Sequence, residues 1–333
     1  MSRRLSLLLV MACLLLGIML VGCSGSSASN KTKVPRTQIR LPMGYIPNVQ
    51  YAPFYVAAEK NFFRQAGLEV EFDYSTETDG VALVGAGEIP FSLVSGEQVL
   101  LARAQGLPVV YVMAWWQDYP VAVASKKGSG ITAPEGLKGK KIGLPGLYGA
   151  NYIGLRALLA VGGLTEQDVT LDSVGYNQVE ALLSGRDEAV VIYTNNEPIQ
   201  LESQDYPVDL IRVADYVSLS SNGLLSNETT ITTQPELVRG MVGAVLKGIQ
   251  YTLDHPEEAF EICKIYVEGL DKVDQNVQME VLTSSIGLWK TDRPGYSQPE
   301  SWENMQNVLF DMGILKSPLE LEKAYTNEFV GGE

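Results

Sequence analysis

Between residues 37 and 114 the sequence switches repeatedly between a period near two and a period near 3.6, and this alternation limits the fold more than any other feature. Thr37 to Met43 alternates as a strand, Tyr51 to Gln65 has the spacing of one amphipathic helix, and Gly67-Leu68 leads into a strand at Glu69 to Asp73. A helix around Asp79 to Gly85, a strand near Phe91 to Val94, a helix from Gly96 to Ala104 and a strand at Val109 to Ala114 continue the rhythm. Repeated strand–helix units predict an α/β protein with mostly parallel sheets flanked by helices.

The second half offers strands at Val121 to Ser125, Lys141 to Leu144, Val169 to Val174 and Ala189 to Tyr193, with helices from Ala150 to Val161 and Asn177 to Ser184. After a strand around Asp209 to Val213 the pattern turns helical, at Pro235 to Asp254, Pro256 to Tyr266, Asp274 to Ser285 and Gln298 to Met312. The simplest assembly has two lobes, one from 37–120 plus 222–330 and one from 121–221, joined by two crossover strands. Such a chain leaves a cleft walled by loops at the carboxyl ends of its strands, where open α/β sheets bind ligands.

The N-terminus reads as an address. Arg3 and Arg4 precede an apolar run from Leu7 to Val21, shorter than the roughly 20 residues of a membrane span, so 1–22 is expected to be a secretory signal. Leu20-Val21-Gly22-Cys23 resembles the bacterial lipobox, which implies acylation of Cys23 and anchoring on the extracytoplasmic face of the cell membrane. Residues 23–36, rich in Ser, Gly and Asn, read as a flexible tether. Only Cys263 then remains as a free thiol, and no intrachain disulfide is expected.

Charge and composition exclude several functions. A net charge of −14 disfavours nucleic-acid partners, which attract Lys and Arg. Three Cys and one His leave little for a zinc site or for Ser-His or Cys-His catalysis, so neither a metal nor a catalytic set is expected. His255 fits a surface turn and Cys263 a helix core. Gly146-Leu147-Tyr148-Gly149 opens a helix but lacks a P-loop's spacing and Lys.

Six loops that follow predicted strands share an unusual composition: 44–51, 76–79, 95–98, 115–119, 148–152 and 193–197 are rich in Tyr, Trp, amides and carboxylates and contain no Lys or Arg. Rings and amides suit a flat, uncharged ligand, because rings stack on its faces while polar groups satisfy its edge. The candidate ligand-binding residues are Tyr45, Asn48, Tyr51, Asp79, Ser95, Glu97, Trp115, Tyr119, Tyr148, Asn151, Tyr152, Tyr193, Asn196 and Glu197. Phe54, and less so Tyr51, also suits the buried face of the first helix, and Glu97 and Glu197 also suit helix-start carboxylates. Of the adjacent Trp115 and Trp116, at most one is expected to face the cleft.

Met43-Gly44-Tyr45-Ile46-Pro47-Asn48, Ala52-Pro53-Phe54-Tyr55-Val56-Ala57 and Phe62-Phe63 before Gly67-Leu68-Glu69-Val70 resemble the substrate-binding lipoproteins of bacterial ABC importers, in the branch related to thiamine-pyrimidine synthases and pyrimidine or sulfonate binders. Glu77-Thr78-Asp79, Ala104 to Val112, Pro145 to Ala150 and Asn196-Glu197-Pro198 are more similar to riboflavin-binding members. The resemblance implies a two-lobed, type II periplasmic-binding-protein fold. It also implies a monomer that carries riboflavin, as transported ligand rather than cofactor, to a permease and its ATPase. A thiamine-precursor pyrimidine or another small aromatic metabolite is the alternative ligand. The synthases of this branch use a Cys-rich motif and a histidine, which this chain does not match, so no enzymatic activity is expected. A lipoprotein acting as a sensor or adhesion module is the other reading.

Overall fold

The computed structural model describes residues 36–331. The expected signal segment, Cys23 and all of the expected tether except Arg36 lie outside the described residues. Ten strands occur among the described residues: β1 (Thr37–Gly44), β2 (Leu68–Thr76), β3 (Ser92–Val94), β4 (Val109–Ala114), β5 (Val121–Lys126), β6 (Lys141–Leu144), β7 (Thr170–Ser173), β8 (Ala189–Tyr193), β9 (Val208–Arg212) and β10 (Gly223–Asn227). They form three sheets, ordered β1-β2, β3-β10-β4 and β7-β6-β8-β5-β9.

As expected, most strands share one direction within each sheet, and two of the three sheets are mixed, each through one reversed strand. β1 pairs parallel with β2, and β6 pairs parallel with β7 and β8. β10 runs antiparallel between β3 and β4, and β5 runs antiparallel between β8 and β9. Each of these two strands enters its sheet against strands that otherwise share one direction. The starts of β5 and β10 therefore lie at the same end as the carboxyl ends of their neighbours, which brings residues 115–120 and Asn222 to the loop end of the sheets. β10 was not anticipated from sequence, because Leu224 and Leu225 are both buried and the run shows no alternation.

The helix expected over Tyr51 to Gln65 is broken. A short turn at Val49–Tyr51 leads into Ala52–Glu59, and Asn61, left-handed at φ 62°, separates this from Phe62–Gln65. Asn is among the few side chains that tolerate that conformation, so a period that looked continuous conceals a stop. Ala52–Glu59 is buried from Ala52 to Ala57 because Pro235–Asp254 packs directly on it. Gly248 permits the approach, since a Cβ there would lie 2.0 Å from the Pro53 carbonyl oxygen. Pro235–Asp254 turns Val238, Met241, Val242, Val245 and Ile249 inward at the 3.6-residue spacing of an amphipathic helix. No helix among the described residues is long and apolar enough to cross a membrane.

Candidate functional site

A concave cleft lies at the carboxyl ends of the strands, the usual place for a ligand in open α/β sheets. Met43, Gly44 and Tyr45 enter it from the end of β1, and Thr76, Glu77 and Thr78 from the end of β2. Trp115 and Trp116 follow β4, while Pro145 and Tyr148 to Asn151 follow β6. Tyr176 and Gln178 follow β7, and Tyr193, Asn196 and Glu197 follow β8; Asn222 comes from the start of β10. The lining contains neither Lys nor Arg, neither His nor Cys. Among the described residues no cluster of His, Cys, Asp and Glu could hold a metal ion.

The inner wall is a packed aromatic layer. Tyr51 stacks on Trp115 with ring centroids 5.3 Å apart, and Trp115 stacks on Trp289 at 6.1 Å. Phe54 meets Trp115 edge-on at 5.1 Å, and Trp116 meets it at 5.2 Å. Both Trp115 and Trp116 line the cleft and both are buried, so the expectation that at most one faces it does not hold. The chain turns back after Trp116: the backbone N–H groups of both tryptophans donate to the Asn222 carbonyl at 3.0 Å, which holds the adjacent rings against one cavity. Across the mouth, Tyr45 touches Tyr176 edge-on at 4.8 Å, joining the loop after β1 to the loop after β7.

Polar groups converge beneath this layer. The Tyr193 hydroxyl donates to Asn222 Oδ1 at 3.2 Å, and Asn222 Nδ2 donates to Glu77 Oε1 at 3.2 Å. Ser95 N–H donates to Glu77 Oε2 at 3.1 Å, and the Ser95 hydroxyl lies 2.6 Å from the same oxygen. Ser95 Oγ also contacts Glu97 Oε1. Burial lifts the Glu77 carboxyl above its ordinary range, and burial together with the neighbouring Glu77 pushes Glu97 up to about 8. Burial likewise pushes Glu197 up to about 7, although Tyr193 N–H donates to its Oε2 at 3.0 Å. Gly44 gives Glu77 its space: left-handed at φ 81°, it ends β1 where a Cβ would meet Glu77 Cγ at 2.7 Å.

Eight of the fourteen candidates line the cleft: Tyr45, Tyr51, Trp115, Tyr148, Asn151, Tyr193, Asn196 and Glu197. The other six do not. Asn48 caps the turn at Val49–Tyr51 by accepting from Gln50 N–H at 2.9 Å. Asp79 accepts from the Thr76 hydroxyl at 2.8 Å, which makes it the capping partner of helix Glu77–Gly85. Ser95 and Glu97 are buried behind Glu77. Tyr119 is buried and donates to the Ala150 carbonyl at 2.9 Å. Tyr152 donates to Glu166 at 2.9 Å, on the side of its helix away from Asn151. Glu77 and Gln98 lie in two of the six expected loops without being among the fourteen candidates, and Tyr176, Gln178 and Asn222 lie outside those loops altogether. Tyr176 carried a usable signal, since it follows the expected strand Val169 to Val174 as the other loops follow theirs.

The family model described as NMT1/THI5 like matches residues 48–259. The chain is 37% identical over 303 residues to the riboflavin-binding protein RibY of Chloroflexus aurantiacus, covering 89% of this chain and 86% of that one. It is 28% identical over 327 residues to the formylaminopyrimidine-binding protein of Halalkalibacterium halodurans, covering 96% and 98%. At 22% identity over 301 residues, covering 89% and 93%, it also matches a protein of Legionella pneumophila named as a 4-amino-5-hydroxymethyl-2-methylpyrimidine phosphate synthase. The periplasmic aliphatic sulphonate binding protein SsuA of Escherichia coli superposes with a TM-score of 0.70 at 12% identity, over 89% of this chain and 94% of that one. The fold is thus the two-lobed binding-protein fold, with β5 and β10 as its two reversed strands, and the chain belongs to the NMT1/THI5-like family.

Proposed function

We propose that this protein is the solute-binding component of an ABC importer and captures riboflavin between two lobes, 37–120 plus 222–330 and 121–221. The observation that carries the reading is a cleft walled by seven Tyr and Trp side chains, with amides and carboxylates but no cation. An isoalloxazine ring can stack on those faces, and ribityl hydroxyls find partners in Asn151, Asn196 and Glu197. Anionic ligands are ordinarily met by Arg, which this lining lacks. The 37% identity to a protein named for riboflavin binding points the same way.

The mechanism is physical. A closed state that gains contacts from loops of both lobes only when ligand is present is selected by that ligand's differential affinity. Binding without chemistry is the better reading of the site, because His255 lies against Tyr251 and Cys263 is buried in the core, neither at the cleft. An acyl chain on Cys23 would hold the binder at the extracytoplasmic face of the membrane, beside its permease and ATPase, as a monomer. Cys23→Ala protein should leave the membrane fraction.

A formylaminopyrimidine is the second reading, favoured by the 28% identity over 96% of the chain. Titration of riboflavin fluorescence separates the two. Riboflavin binding is expected to quench the flavin by stacking, whereas unchanged fluorescence together with calorimetric binding of formylaminopyrimidine would overturn the flavin assignment.

A further inference from the structure

Counting protons around Ser95 yields a specificity element that the aromatic layer does not supply. Its hydroxyl has one hydrogen, yet Oγ lies against both Glu77 Oε2 and Glu97 Oε1. Two ionised carboxylates would leave one of these contacts with no proton in it, and Glu97 is closed off from water while Glu77 is half-buried at the cleft. Glu77 is the acceptor of the pair, because it already takes two obligate N–H donors, Ser95 N and Asn222 Nδ2. The Ser95 proton therefore completes Glu77, and Ser95 Oγ must accept from Glu97. Glu97 has the matching surroundings: it is fully buried, its Oε2 has no hydrogen-bond partner, and its one other partner is Gln98 Nε2 at 3.5 Å. The titratable groups facing Glu97 are Glu77 from the helix after β2, Tyr119 from the β4–β5 connection and Tyr193 from β8, with no cation among them.

We propose that Glu77 is the specificity-determining acceptor of the cleft, held as a carboxylate by Ser95, Asn222 and a protonated Glu97, and that it selects ligands presenting an N–H donor edge. Glu77 lines the cleft while Glu97 does not, so the charge faces the ligand and the proton stays behind it. In a flavin the matching edge is the imide N3–H; in an aminopyrimidine it is the exocyclic amine. Glu97 and Ser95 are positioning residues. The inference rests on the ligand-binding reading above but not on which of the two ligands is correct.

The test compares Glu77→Gln and Glu97→Gln by calorimetry with riboflavin, N3-methylriboflavin and formylaminopyrimidine. Wild type should prefer riboflavin over its N3-methyl form by tenfold or more. Glu77→Gln replaces one of the two acceptor oxygens with an NH2 donor and removes the charge, and should lose at least tenfold in riboflavin affinity together with that preference. Glu97→Gln mimics the protonated carboxyl and should bind within about threefold of wild type at pH 7, while resisting the loss of affinity expected of wild type in alkaline solution. A ligand-free readout accompanies it: the infrared band of protonated carboxyl at pH 7 should weaken in Glu97→Gln and persist in Glu77→Gln. If Glu77→Gln keeps wild-type affinity, or Glu97→Gln is as damaging as Glu77→Gln with no change in the infrared band, the inference falls. Should wild type bind only the pyrimidine, the flavin assignment falls instead, and Glu77 stands if Glu77→Gln loses that ligand by tenfold.

Discussion

Tyr51, Trp115 and Trp116 on one wall of the cleft are 2%, 3% and 2% exposed, whereas Tyr148 and Tyr176 on the other are 64% and 52% exposed. All five line the same space. The first wall buries its rings against Phe54 and Trp289 before any ligand arrives, so most of their apolar area already stabilises the fold. The rings of the second wall still have area to remove from water when a ligand lies against them, and that area contributes to binding instead. Aromatic residues of one cleft thus divide between holding its shape and gripping its contents.

The largest expected effect is at the packed wall. Trp115→Ala removes the ring shared by Tyr51, Phe54, Trp116 and Trp289 and should cost about 3–5 kcal/mol of stability, along with ligand binding, in urea unfolding and titration. A stability change as small as that of a surface substitution would erase the distinction between the walls. Next, unliganded stability should fall as pH rises from about 4.5 through about 7, a trend that Glu197→Gln should flatten. The sign follows from Glu197: its folded carboxyl holds a proton that the unfolded chain releases at lower pH, so the folded state binds more protons in that window. Melting curves at several pH values check this, and an equal slope in Glu197→Gln would contradict it.

Tyr148→Ala and Tyr176→Ala should each weaken riboflavin roughly tenfold, about 1.4 kcal/mol, while moving unliganded stability by less than about 0.5 kcal/mol. The converse holds for Asp79→Ala, which removes a first-turn carboxylate bonded to the N-cap Thr76 hydroxyl and should lose about 0.3–1 kcal/mol of stability with affinity unchanged. If Asp79→Ala weakens ligand instead, the capping geometry does not describe its role. Tyr216, exposed and away from the cleft lining, serves as the silent surface control.

Much of the strand and helix order was legible, since periodicity reports which face is buried: Gly96–Ala104, Val109–Ala114 and Pro235–Asp254 begin and end where the pattern does. β10 escaped because a short strand buried on both sides has no alternating signature. The site was legible at the level of loops and less so within them. Thr76-Glu77-Thr78-Asp79 has the spacing of a helix cap, which occupies Asp79 and leaves Glu77 for the cleft. Asn151 and Tyr152 are neighbours on one helix, and consecutive helical positions point about 100° apart, so only Asn151 reaches the cavity. Asn222 had no local signal, since its place depends on a strand returning from a distant part of the chain.

The central claim is that a cation-free aromatic cleft selects an uncharged flavin. Calorimetry of riboflavin against flavin mononucleotide tests it most directly, because the two differ by one phosphate and the lining has carboxylates but no Lys or Arg to pair it. The account predicts that riboflavin binds at least tenfold more tightly and that the preference shrinks as ionic strength rises. Equal or tighter binding of the mononucleotide would contradict it.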